Sequence, residues 1–163
     1  LPADLIGLLH SYERRVQRPQ YVARLALLRS GLSADALRAL WRLSNDELRG
    51  AEAVLAVAAL LRAYKLHEAA YSHPAALGDG VEVAAVLANW GEAGKLAVRE
   101  QLQDIDVPRF PIGGTDLIEL GMSPGRALGR ELERLEQIWV GSGFSLSGPE
   151  LLSLAQAQLH QPR

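Results

Sequence analysis

The chain has 163 residues, about the length of one ordinary domain, and its 48% hydrophobic and 22% charged residues are the proportions of a globular fold. Seventeen Lys and Arg against nineteen Asp and Glu leave a formal charge of −2, which excludes a bulk positive field as the means of holding a polyanion; any such site must be local. The absence of cysteine excludes disulfides, thiolate nucleophiles and Cys-ligated metal centres, and no apolar stretch reaches the roughly eighteen residues of a membrane span.

The first predicted element is an amphipathic helix from Asp4 to Gln17, because Leu5, Leu8, Leu9, Tyr12 and Val16 recur on one face. Arg18-Pro19 breaks it, and Tyr21 to Ser30 forms a second helix closed by Gly31. Ser33 caps a third over Ala34 to Leu43. Ser44-Asn45-Asp46-Glu47 has the capping-box form and opens the longest predicted helix, running to about Ala70 with Leu48, Ala51, Val54, Leu55, Ala58 and Leu61 on one side. Ser72 to Gly80 reads as a loop, followed by helices over Val81 to Asn89 and Glu92 to Gln103.

The last third changes character. Two prolines three apart make Asp106 to Ile112 extended. Thr115 caps a short helix through Leu120, and Ser123, with Pro124 at the first helical position, caps another to about Val140. Ser147 and Glu150 form a second capping box for a final helix to about Gln158. No alternating β-branched run occurs, so the fold class is all-α, an elongated bundle of about eight helices.

Charge is distributed unevenly. Residues 1–50 hold eight Arg against five acids, residues 51–107 four bases against eight acids, and the remainder five against six. Fifteen of the seventeen bases are Arg, whose planar fork suits phosphate and carboxylate. Arg126, Arg130 and Arg134 share a helical stripe beginning at the turn of Ser123 and Gly125, where unpaired backbone N–H groups and the positive dipole end favour an anion. Arg14, Arg15 and Arg18 form a second cluster, with Arg24 a helix later and Tyr21 among them. The bland fate of Tyr21 and of Trp41, Trp90 and Trp139 is core packing, and Glu131, Glu133 and Glu136 are placed to neutralise the Arg126–Arg134 stripe.

Reactive groupings are sparse. His67, Glu68 and His73 are the only set with the look of metal ligands, and they converge only if the helix ends between them. His10 and His160 stand apart from them, and Asp104 and Asp106 read as solvated loop acids. No nucleophile elbow, Walker loop or strand-borne Gly-x-Gly-x-x-Gly occurs. Composition alone therefore leaves a helical protein-interaction adaptor and a small metal hydrolase open beside an RNA-binding module.

The segment Phe110-Pro-Ile-Gly-Gly-Thr-Asp-Leu-Ile-Glu-Leu-Gly-Met-Ser-Pro-Gly-Arg-Ala-Leu-Gly-Arg-Glu-Leu-Glu-Arg-Leu-Glu-Gln-Ile-Trp-Val140 resembles the C-terminal region of bacterial tRNA nucleotidyltransferases, the CCA-adding enzymes of the poly(A) polymerase family. The matching elements are Gly114, Asp116 and Leu117; Leu120 and Gly121; Pro124, Gly125, Leu128 and Gly129; then Leu132, Trp139, Phe144 and the Leu151-Leu152 helix. Leu40 to Glu47 is similar to the family's entry into its long central helix, and the likeness is strongest over 110–152 and weak over 67–105.

The family's catalytic head, with its Gly-Ser motif, paired metal-binding carboxylates and nucleotide-templating Arg and Asp, has no counterpart in these residues. The resemblance thus implies a body over 1–105 and a tail over 106–163, both helical and RNA-binding, separated from an N-terminal head; Leu1 in place of an initiator Met is read as that boundary. It implies tRNA as partner, no membrane association, a bacterial cytoplasmic location, no cofactor for this part, and Mg with CTP and ATP for the parent enzyme. The C-terminal part of a poly(A) polymerase stays open as an alternative.

Overall fold

The computed structural model describes residues 2–159. Among them are ten α-helices, one short 3-10 turn and no strand, so the all-α class holds, with ten helices in place of about eight. The chain divides into two compact units, one running to Ile105 and the other from Asp106.

The first unit contains α1 (Ala3–Arg15), α2 (Tyr21–Arg29), α3 (Ala34–Trp41), α4 (Asn45–Arg62), α5 (Leu66–Ser72), the 3-10 turn Pro74–Ala76, α6 (Leu77–Leu87) and α7 (Glu92–Gln103). The predicted caps at Ser33 and Ser44 are present: Ser33 Oγ accepts from the Ala36 N–H at 3.1 Å, and Ser44 exchanges bonds with Glu47 in a full capping box. Those bonds from the Ser44 hydroxyl and backbone N–H hold the Glu47 carboxyl below its ordinary pKa.

The core lies where α4 packs on α2 and α6. Ala51, Val54, Val57, Ala58 and Leu61 of α4 are buried against Val81, Val83 and Ala84 of α6 and Ala23, Leu25, Ala26 and Leu27 of α2. Every residue from Gly80 to Val86 is buried, which marks α6 as a central helix rather than an amphipathic one. Gly80 makes this approach possible, since a Cβ there would stand 2.2 Å from Val57 Cγ1. The reading of Ser72 to Gly80 as a loop is therefore corrected: Pro74 begins a 3-10 turn and both Gly78 and Gly80 lie inside α6.

The long helix predicted to Ala70 is also corrected, because α4 ends at Arg62. Tyr64 adopts a left-handed φ of 58°, the Lys65 N–H donates to the Leu60 carbonyl at 2.9 Å, and the Tyr64 N–H donates to Leu61 at 3.1 Å. This is a Schellman stop built without glycine. At the end of α6, Asn89 takes the same left-handed role, with the Trp90 N–H donating to Ala85 O at 2.9 Å.

The second unit contains α8 (Gly114–Glu119), α9 (Arg126–Gly141) and α10 (Gly148–Leu159). Residues 106–112 carry no helix, as their prolines predict. Leu117, Leu135, Leu151 and Ala155 are fully buried, and the Trp139 indole packs against both Phe110 and Phe144, with ring centroids 5.2 and 4.8 Å away. The Phe144 N–H closes a Schellman motif on the Trp139 carbonyl at 3.0 Å, so the ring contact and the helix stop involve the same two residues. Glu150 Oε2 accepts from the Ser147 N–H at 2.7 Å and the Ser147 hydroxyl at 2.6 Å, which lowers the Glu150 pKa.

Two predicted caps are displaced. Thr115 lies inside α8, whose N-cap is Gly113; Asp116 Oδ2 accepts from the Gly113 N–H at 2.6 Å and so orients the helix start. Ser123 and Pro124 precede α9, whose N-cap is Gly125. The aromatic expectation also divides: Trp139 is core, Trp90 is half-buried, and Trp41 and Tyr21 are 44% and 51% exposed.

Candidate nucleic-acid interface

The start of α9 has an unusual cap. Gly125 has φ 145° and ψ −166°, a conformation essentially confined to glycine, and it supplies no side chain to the first N–H groups of the helix. A Cβ at Gly125 or Gly129 would meet nothing within 4 Å, so neither glycine serves close helix packing. Gly125 is there for its backbone, and no side chain caps the positive end of α9.

Arg126 and Arg130 extend from this end one turn apart, both exposed, with no ion-pair partner among the described residues. Arg134, the third member of the stripe, is engaged: its Nε donates to Glu131 Oε2 at 2.9 Å, and that bond raises its pKa. The exposed face of α9 thus carries two available guanidiniums, followed by Glu133 and Gln137. Ser123 is exposed in the preceding turn.

The cluster on α1 is split in the same way. Arg15 is used internally: it donates to Asn89 Oδ1 at 2.9 Å, to the Trp90 carbonyl at 3.2 Å and to the Ala85 carbonyl at 3.4 Å, bracing the C-terminal end of α6. Arg14 is exposed and, with Gly7, His10 and Ser11, borders a shallow cavity of about 350 Å³. Arg18 is exposed in the turn after α1. Arg24 pairs with Glu13 at 2.7 Å, and the Tyr21 hydroxyl donates to Glu47 rather than standing free between arginines.

A further charged group, without a motif to announce it in the sequence, joins α6 and α7. Glu82 of α6 and Lys95 of α7 are both buried, 3.4 Å apart; Arg99 bonds the other oxygen of Glu82, and Lys95 also pairs with Glu92 at 3.0 Å. The four-residue spacing of Lys95 and Arg99 places them on one helical face, a signal hidden by the net acidity of residues 51–107.

Among the described residues no three His, Asp or Glu side chains gather as metal ligands, so His67, Glu68 and His73 do not form a centre. Glu68 pairs with Lys65 at 2.9 Å. Asp104 and Asp106 are exposed, and His160 lies outside the described residues. No described helix is long and apolar enough to cross a membrane.

Comparison with known proteins gives short but concordant similarities. The chain is 38% identical over 63 residues to the CCA tRNA nucleotidyltransferase 1, mitochondrial, of Mus musculus, 37% over 60 residues to that of Danio rerio, and 33% over 60 residues to that of Homo sapiens. These matches cover 37–39% of this chain but only 14% of the length of each relative. They relate the chain to tRNA-processing enzymes. No family model and no solved structure matches it.

Proposed function

We propose that this chain is the tRNA-holding helical portion of a CCA-adding tRNA nucleotidyltransferase, with residues 1–105 as body and 106–163 as tail, and that nucleotide addition belongs to a separate N-terminal head. The observation that carries the reading is that three relatives, each named as a CCA tRNA nucleotidyltransferase, match over about sixty residues apiece. The surface supports it: Arg126 and Arg130 stand together beside the open end of α9, where a backbone phosphate would meet two guanidiniums and uncapped N–H groups. Arg14 and Arg18 offer a second set of contacts from the body.

Magnesium, CTP and ATP are the parent reaction's requirements. The donors among the described residues do not fit a magnesium centre, and the reading gives these residues no part in the chemistry. The body and tail position RNA; the head would select and add nucleotides. A bacterial, cytoplasmic parent is part of the proposal on the strength of the motif over 110–152, whereas the named relatives are mitochondrial. A helical adaptor is the second reading; grouping of the available arginines on one face of α9 favours RNA over it.

The test is a titration of labelled tRNA and of an unrelated duplex RNA at two salt concentrations. Tighter binding of tRNA, weakening with salt, supports the reading; equal, negligible binding of both overturns it. Incubation with tRNA lacking its 3′ end, CTP, ATP and magnesium should add no nucleotide, and any incorporation by the pure chain would refute the division of labour.

A further inference from the structure

We propose that the cleft between the end of α1 and the faces of α6 and α7 is a phosphate-binding site, with Arg18 on one wall and Lys95 and Arg99 on the other. The cleft has a volume of about 470 Å³ and is lined by Arg15, Arg18, Glu82, Glu92, Lys95 and Arg99. Four cations face two carboxylates, so the lining carries an excess of two positive charges. Both carboxylates are already bonded: Glu82 to Lys95 and Arg99, and Glu92 to Lys95. Arg15 has committed its donors to the end of α6 but keeps its charge in the wall. Arg18 has no partner for its guanidinium among the described residues, and Arg99 remains about half exposed while it holds Glu82.

This arrangement suits a tetrahedral anion better than a carboxylate. Cationic groups line two walls, Arg18 in the turn after α1 and Lys95 and Arg99 on α7, and a phosphate presents acceptor oxygens in both directions, whereas a planar carboxylate is satisfied by a single fork. Lys95 is nearly buried and bonded to two acidic partners, so part of the site is already ordered before an anion arrives. The shared chemistry is a phosphate group, supplied either by a free phosphate monoester or by the backbone of RNA. The site does not rest on the tRNA reading: it would stand if the α9 surface proved inert.

The test is titration of the intact chain with inorganic phosphate, followed through the arginine Nε–H and lysine Nζ resonances. Saturable shifts at Arg18, Lys95 and Arg99 are expected, with affinity reduced about tenfold by Arg18→Ala, the loss of one charge-assisted contact. The exposed Arg62→Ala control should leave the titration unchanged. Glu92→Gln removes one carboxylate from Lys95 and should tighten binding, an opposite sign that a general loss of folding cannot imitate. Competition by AMP but not by an oligoribonucleotide without terminal phosphates would identify a free monoester as ligand; competition by the oligonucleotide would identify an RNA backbone. Absence of a saturable shift, or equal affinity in the wild type and Arg18→Ala, would overturn the site and leave a cleft of internal ion pairs.

Discussion

Leucines fill both units, but the tightest contact of the first and the ring cluster of the second are built from side chains of very different size. In the first, α4 and α6 meet through alanine, valine and glycine, and the backbones approach until Gly80 lies against Val57. In the second, the Trp139 indole contacts the rings of both Phe110 and Phe144 beside the buried Leu117, Leu135 and Leu151. A helix contact built on small residues is intolerant of added atoms, and a contact built on one aromatic is intolerant of their loss.

The largest expected effect follows from the second half of that statement. Trp139→Ala should destabilise the second unit by about 3–5 kcal/mol, seen as accelerated hydrogen exchange through α8, α9 and α10. Slow exchange retained in those helices would mean that the leucines alone hold the unit. Next in size is Gly80→Ala, which should cost about 1–3 kcal/mol in urea unfolding by pushing α6 off Val57. Gly78→Ala, two residues earlier with open space around it, should instead gain a few tenths to about 1 kcal/mol from helix propensity. If both substitutions moved stability in the same direction, close packing would not be what distinguishes the first core.

The two units also stop their helices differently. The second unit ends α9 with Gly143 in the left-handed region, whereas the first ends α4 with Tyr64 there. Tyr64→Gly should therefore raise stability, by up to about 1 kcal/mol, because the side chain is exposed and the backbone conformation favours glycine. A loss would show that the Tyr64 ring makes a packing contribution.

The smallest effect is one the units share. Glu47 and Glu150 have pKa values lowered by bonds from Ser44 and Ser147. A lowered carboxylate pKa contributes stability that is complete above the unfolded-state value and lost as pH falls through the folded one, so thermal stability should decline on acidification through the carboxylate range. Glu47→Gln and Glu150→Gln should each flatten that decline, and an unchanged pH profile would remove the capping boxes from the account.

Much of this molecule is legible from side-chain periodicity and caps. The helix from Glu92 to Gln103 has the predicted bounds, and Ser33 and Ser44 cap as their spacing implies. What sequence conceals is backbone behaviour without its usual residue: no Gly or Pro announces the stop at Tyr64, and Gly78 and Gly80 resemble loop residues until a partner helix explains the second. The +3 front segment misleads for a related reason. Arg15 spends its donors on carbonyls some seventy residues away and Arg24 on Glu13, so charge counted along the chain overstates charge available at the surface. On α9 the local rule fared better for Arg134, whose partner lies three residues before it, than for Ser123, which lost the cap position to Gly125.

On the proposed function, Arg126 and Arg130 would meet an RNA backbone, while Arg15 and Arg24 of the first unit are spent on internal bonds. The salt dependence of tRNA binding, compared between wild type and the Arg126→Ala/Arg130→Ala double variant, separates the two groups. The double variant should bind more weakly, with a log K against log salt slope shallower by up to about one unit per lost phosphate contact. A double variant with the wild-type slope and affinity would contradict that role for Arg126 and Arg130.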